Sequence, residues 1–285
     1  MGYITDNYNI TTFIPNVDAI DMAQIVPFLA DAEDFVNDQL LGDALYLHTA
    51  GMGTEDSFRK NVANAVFLKA LYEAIPFIDL ILTPNGFAVV SNSNQAPASK
   101  DRVFALRNQV KNRFWSWFDT IINQIVKAEP LRLLWVTGKP FELITQTVFI
   151  TGVNYSQYAQ VVWDANSDIR PLDRDRSFIL LSEQSLIEPA ISADYLAELK
   201  TKQYTGTLTP DDVTILGLVK SAIGLELSSK TATPQKCYDY LNKAINHMEK
   251  FIAKYPTYQA SQEYTVRHSL AYENKLEDKT YFGGL

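Results

Sequence analysis

Apolar residues recur at helical spacing through most of this chain. Ile25, Leu29, Ala32, Val36 and Leu40 stand four, three, four and four residues apart, the step of one buried helical stripe. Pro27 suits a first turn, so the main helix starts near it, and Gly42 is placed to end it. Thr54, followed by Glu55 and Asp56, predicts an N-cap for a second helix running to about Ile75. The clearest helix opens at Ser99 or Asp101 and is bounded by Pro130; its stripe is Val103, Leu106, Val110, Phe114, Trp117, Ile121 and Ile125. Helical pattern returns over residues 182–200 and again after the cap-like Thr209-Pro210-Asp211, with Val213, Leu216, Val219 and Ile223. A last helix follows Thr233-Pro234, carries Tyr238, Leu241, Ile245, Met248 and Ile252, and ends at Tyr255-Pro256.

Two segments carry a different pattern. Short apolar runs on either side of Asn85-Gly86 predict a β-hairpin, because both residues tolerate the positive φ of a type I′ turn. Over residues 131–177 the runs Leu133-Leu134-Trp135-Val136-Thr137 and Thr145-Gln146-Thr147-Val148-Phe149-Ile150-Thr151 are β-branched and aromatic, bounded by Gly138-Lys139-Pro140 and Gly152. They predict a small β-containing insertion, with a short helix over 154–162. The expected fold is mainly α: a helical bundle with a β-hairpin, that insertion and an extended C-terminal arm. Residues 1–260 form the body, opening with an extended lead-in over 1–17, and residues 261–285 form the arm.

Composition narrows the function. A chain of 285 residues, 47% hydrophobic and 20% charged, is an ordinary globular protein with material for one large domain or two modest ones. A net charge of −8 argues against gripping nucleic acid by phosphate neutralisation, though it suits a wall past which DNA slides. Cys237 is the only cysteine, so no intrachain disulfide forms. No apolar run approaches the roughly 20 residues that span a bilayer, and no signal-peptide pattern opens the chain. The expectation is a protein kept in a cytoplasm unless it leaves inside a particle.

Candidate chemistry is sparse. His48, His247 and His268 are scattered, and Gly51-Met52-Gly53 has Asp56 where a phosphate fingerprint needs its third glycine. Asp164, Asn166 and Asp168 match the first half of a calcium loop, but Ile169 replaces the glycine of its sharp turn and Asp175 replaces the closing glutamate. An ordinary polar loop is the better reading. The alternation Arg170, Asp173, Arg174, Asp175, Arg176 reads as a solvated or interface salt-bridge network. Asp31, Asp34 and Asp38 share the helix face opposite the apolar stripe and read as solvated rather than as an acid–base set. Cys237 reads as a small buried hydrophobe. These residues predict no enzyme, no cofactor and no metal.

The most informative stretch is the C-terminus. Tyr258, Tyr264, Tyr272, Tyr281 and Phe282 stand among alternating charges with little aliphatic content. Such a segment cannot build a core of its own, yet it holds more aromatic surface than a solvating tail. It reads as a docking arm with Tyr264, Tyr272, Tyr281 and Phe282 as anchors.

Three ordered stretches also carry a resemblance. They are Ile25-Val26-Pro27-Phe28-Leu29-Ala30-Asp31-Ala32-Glu33-Asp34-Phe35 with Leu41-Gly42-Asp43-Ala44-Leu45-Tyr46; Asn85-Gly86-Phe87-Ala88-Val89-Val90-Ser91 with Ala96-Pro97-Ala98-Ser99; and Tyr272-Glu273-Asn274 through Lys279-Thr280-Tyr281-Phe282-Gly283-Gly284. Together they resemble head–tail connector, or ring, proteins of Bacteroidetes phages and prophages, as in crAss-like phages. The resemblance implies a non-enzymatic virion subunit at the head–tail junction, assembled in the host cytoplasm. About a dozen copies would form a homo-oligomeric ring against the portal protein and the neighbouring tail or neck rings. DNA would pass through the ring without specific binding, and no membrane is involved. Another tail or neck ring component is the alternative; a helical small-molecule enzyme or surface binding protein is a more distant one.

Overall fold

A computed structural model describes residues 3, 22–78, 80–83, 86–89, 99–228 and 234–269. The described chain is mainly helical. Helix α1 (Val26–Val36) has Pro27 in its first turn, and Ile25, Ala32, Val36 and Leu40 are buried as their spacing requires. The helix widens into a π-turn over Asn37–Leu41 and stops at Gly42, whose φ of +72° favours glycine. Helix α2 (Asp43–Gly51) leads to α3 (Ser57–Ala74), which is apolar on nearly every side and forms the centre of a first core. The N-cap of α3 is Asp56, whose carboxylate accepts from the amides of Phe58 and Arg59. Thr54 lies two residues too early to reach them. Strands β1 (Leu80–Thr83) and β2 (Gly86–Val89) pair antiparallel, with Thr83 opposite Gly86.

Helix α4 (Lys100–Lys127) packs along α3 through Val110, Phe114, Phe118, Ile121, Ile122 and Ile125. Leu106 is exposed and Trp117 half-buried, so the buried stripe runs through Phe118.

The β-containing insertion expected over 131–177 is not formed: the stretch is helical with irregular connections. Helix α5 (Glu129–Trp135) starts on Pro130, α6 (Lys139–Thr145) on Pro140, and α7 (Gly152–Ala159) is capped by Thr151. In α5 the buried residues Leu131 and Trp135 stand four apart, a helical step hidden inside a β-rich composition. Trp135 Nε1 donates to the Leu40 carbonyl at 2.7 Å. Beside it the backbones of Gly42 and Gly138 touch, since a Cβ on Gly42 would lie 3.0 Å from Gly138 Cα. The run Thr147 to Thr151 joins no ladder. Val148 and Phe149 are neighbours and both fully buried, which the alternating faces of a half-exposed strand do not allow. Their amides are served by side chains: Val148 donates to Glu183 Oε1 at 2.7 Å and Phe149 to Thr147 Oγ1 at 3.3 Å.

A second core follows. It is built from α7, α8 (Pro171–Ser182), a π-turn (Glu183–Ile187), α9 (Glu188–Ile191), α10 (Ala193–Thr205), α11 (Pro210–Leu227), α12 (Pro234–Lys250), α13 (Pro256–Gln259) and α14 (Gln262–His268). Thr209 and Asp212 form a reciprocal capping box on α11. Helices α7 and α11 meet at Gly224, where a Cβ would stand 2.6 Å from the Tyr158 backbone, so no side chain fits there. Residues 262–268 of the expected arm are therefore helical rather than extended. Residues 270–285 lie outside the described residues.

Candidate functional site

The joint between the two cores holds the densest set of buried charges. Asp119 stands on the buried face of α4, next to Phe118 and Ile122. Its Oδ1 accepts from the Gly152 amide at 3.0 Å and from Arg170 Nη1 at 3.1 Å, and its Oδ2 accepts from the Val153 amide at 2.8 Å. The carboxylate thus caps the positive end of α7 from a different helix. Arg170 is 4% exposed; its guanidinium lies 4.4 Å from the Trp115 ring centre and also binds Asp173. Asp173 in turn accepts from Arg176, which reaches the Leu143 carbonyl of α6. Burial pushes the Asp119 carboxyl above its ordinary range, against the pull of Arg170 and the two amides. On Asp173 burial acts in the same sense, but bonds from Arg170 and Arg176 outweigh it and hold that carboxyl low.

A cleft of about 470 Å³ opens over this cluster, walled by Trp115, Val153, Trp163 and Pro171. Its charged groups already bind one another. Asp119 uses both oxygens, and all three guanidinium nitrogens of Arg170 donate within the protein. The arrangement clamps α4, α7 and α8 together. On the far side of the joint, Glu183 is 1% exposed and accepts from Val148 N and from Lys200 Nζ, which also bonds the Gln146 carbonyl. Burial raises the Glu183 carboxyl while Lys200 opposes it.

The residues singled out in the sequence go to separate places. The half calcium loop is occupied by the protein's own cation: Lys111 Nζ, on a 3%-exposed residue, donates to the carbonyls of Ala165 at 3.0 Å and Ser167 at 2.8 Å. Asp164 accepts from the Asn166 amide in a local turn, and Asp168 binds Tyr72 Oη and pairs with Arg107. Among the described residues no three His, Cys, Asp or Glu side chains are grouped to hold a metal. Asp31, Asp34 and Asp38 are exposed. His48 is exposed, His247 bonds Asp211 at 3.1 Å, and His268 packs on Tyr264. Gly51-Met52-Gly53 is a turn clipped by Arg59, which donates to the Ala50 and Met52 carbonyls. Cys237 is buried, and burial pushes its thiol up.

Of the four expected anchors, Tyr264 lies in α14, half-buried against Tyr258 at 5.5 Å between ring centres. Arg267 ties the same helix down by donating to Tyr258 Oη at 2.6 Å and to the Ala190 carbonyl. Tyr272, Tyr281 and Phe282 lie outside the described residues. Sequence reasoning missed Asp119, Lys111 and Glu183 as organising groups. For the first two a signal existed: each is a charge set within the apolar stripe of α4.

The sequence pattern of a family of unknown function, DUF6712, matches residues 23–128 and 228–268, just over half of the chain. The chain belongs to that family. The matched parts are α1 to α4 and α12 to α14, and the stretch from α5 to α11 lies between them. No curated protein and no solved structure matches the chain. Among the described residues no helix is long and apolar enough to cross a membrane.

Proposed function

We propose that this member of the family is a structural virion subunit that forms a ring at the portal junction of a tailed phage, through which DNA passes. The observation that carries the reading is the aromatic C-terminal segment and its starting point. Tyr272, Tyr281 and Phe282 follow a helix that Arg267 and Tyr264 fasten to the second core. A segment rooted on a rigid body can place aromatic anchors on a partner at a lower entropic cost than a wholly free tail. The ordered resemblance described above supplies the partner, a portal protein. The net charge of −8 is consistent with a lumen to which DNA does not adhere. Phe178 and Leu181, exposed three residues apart on α8, supply apolar surface of the sort that subunit contacts cover.

The test is assembly. Negative-stain images and light scattering of the full chain mixed with its cognate portal should show portal-dependent rings. A chain that stays monomeric both alone and in that mixture sinks the reading.

A further inference from the structure

Helix α8 runs on through the π-turn into α9 without a break, a rod of about 29 Å from Pro171 to Ala190. At one end Pro171 walls the cleft of the joint, where Trp115 and Trp163 stand 6.2 Å apart between ring centres. The charges beneath the cleft, Asp119 and Arg170, bond one another, and Val153 on its wall is exposed. Phe178 and Leu181 are exposed further along, seven and ten residues from Pro171 and thus on the same side of the rod. At the other end Arg267 of α14 donates to the Ala190 carbonyl at 3.4 Å. This side of α8 is an apolar track, with an aromatic cleft at one end and the root of the C-terminal segment at the other.

The segment that begins at that root fits the track in pattern and in length. Ser269 leaves α14 with extended backbone, at a ψ of 128°. In an extended chain alternate residues face one side, which places Leu270, Tyr272, Leu276 and Phe282 together, with Asn274, Asp278 and Thr280 among them. The other side collects Glu273, Lys275, Glu277 and Lys279. Fully extended, residues 270–282 span about 44 Å, enough to pass Leu181 and Phe178 and bring Phe282 to the cleft. Gly283 and Gly284 follow, with no Cβ to hold the backbone off the tryptophan wall.

We propose that residues 270–285 dock on their own chain, Tyr272 and Leu276 along Leu181 and Phe178, and Phe282 in the cleft against Trp115 and Trp163. Burial of aromatic and aliphatic surface drives the contact, and the ordering of the segment offsets much of that gain. The contact is therefore weak, opens well below global unfolding and leaves the melting temperature unchanged. Opening frees Phe282 and uncovers Phe178 and Leu181. A portal would compete for these anchors, but the docking itself does not rest on the connector reading.

Disulfide trapping in the full chain, without portal, tests it in a C237S background where only introduced thiols react. V153C puts one thiol on the cleft wall, and G283C puts the other beside Phe282 while leaving that ring in place. This pair should close within one chain about tenfold faster than L47C with G283C, Leu47 being an exposed residue of α2 away from the track. Adding F282A should slow closure of the V153C pair about tenfold and leave the L47C pair unchanged. Val153 and Leu47 are exposed, so the variants keep the fold. Mass spectrometry of the unreduced protein at low concentration separates links within a chain from links between chains. Links between chains would make a second copy the occupant, and equal closure of the two pairs would leave the segment unplaced. An F282A variant that closes as fast would take Phe282 out of the cleft. Each of these results overturns the proposal, and none of them bears on assembly with a portal.

Discussion

Asp119 accepts from three donors on two other segments of the chain. Asp119→Ala strands the first two amides of α7 and leaves Arg170 with Asp173 alone. The expected loss is about 3 kcal/mol, the low end for breaking a buried pair because Asp173 still holds part of the guanidinium. Asp119→Asn keeps an acceptor for one amide and should cost less. Urea unfolding midpoints of the two variants measure the difference, and equal midpoints would show that the charge itself contributes little. The sequence marks such residues: Asp119, Lys111 and Lys220 each interrupt an apolar stripe at a position facing the core. It does not mark their partners, because those lie 51 residues away for Arg170 and 54 and 56 away for the carbonyls that hold Lys111.

Elements were most readable where local chemistry decides them. Pro27, Pro210 and Pro234 open helices, Gly42 stops one, and the stripe from Ile25 to Leu40 faces inward. Choosing among adjacent caps is harder, as Thr54 and Asp56 show. Asp56→Ala should destabilise the chain by about 1 kcal/mol, while Thr54→Ala should leave thermal unfolding unchanged. The reverse order would return the cap to Thr54. Over residues 131–177 the β-rich composition predicts strands, and the helical steps within it prevail. In α5 the burial of Leu131 and Trp135 follows a helical step, and Trp135 finds its partner in a carbonyl at the π-turn of a distant segment. In the run from Thr147, Val148 and Phe149 are both buried in the second core. A backbone so enclosed needs side chains such as Glu183 rather than a neighbouring strand.

For the whole molecule, residues 262–268, expected in the arm, pack as helix α14 on the second core. A chain ending at Ser269 should unfold at the same temperature as the full chain and fail to join a portal. A chain ending at Ala260 should also lose about 2 kcal/mol, because Tyr258 loses Tyr264 and the bond from Arg267. Calorimetric scans and portal co-sedimentation of the two truncations separate these effects; portal binding by the shorter one would remove the arm from the mechanism. The sequence by itself determined the helical character of the chain, most helix starts, the inward stripe of α1 and the aromatic excess of the last residues. These are set by neighbours within a few positions, through dihedral preference, capping and periodic burial. Only the tertiary structure decided that two cores meet at a charged joint and that Lys111 fills the loop whose spacing half matches a calcium site. It alone left Lys220 buried without a counter-charge among the described residues. Those outcomes depend on which distant groups reach one another once water is excluded, and spacing along the chain carries no record of that.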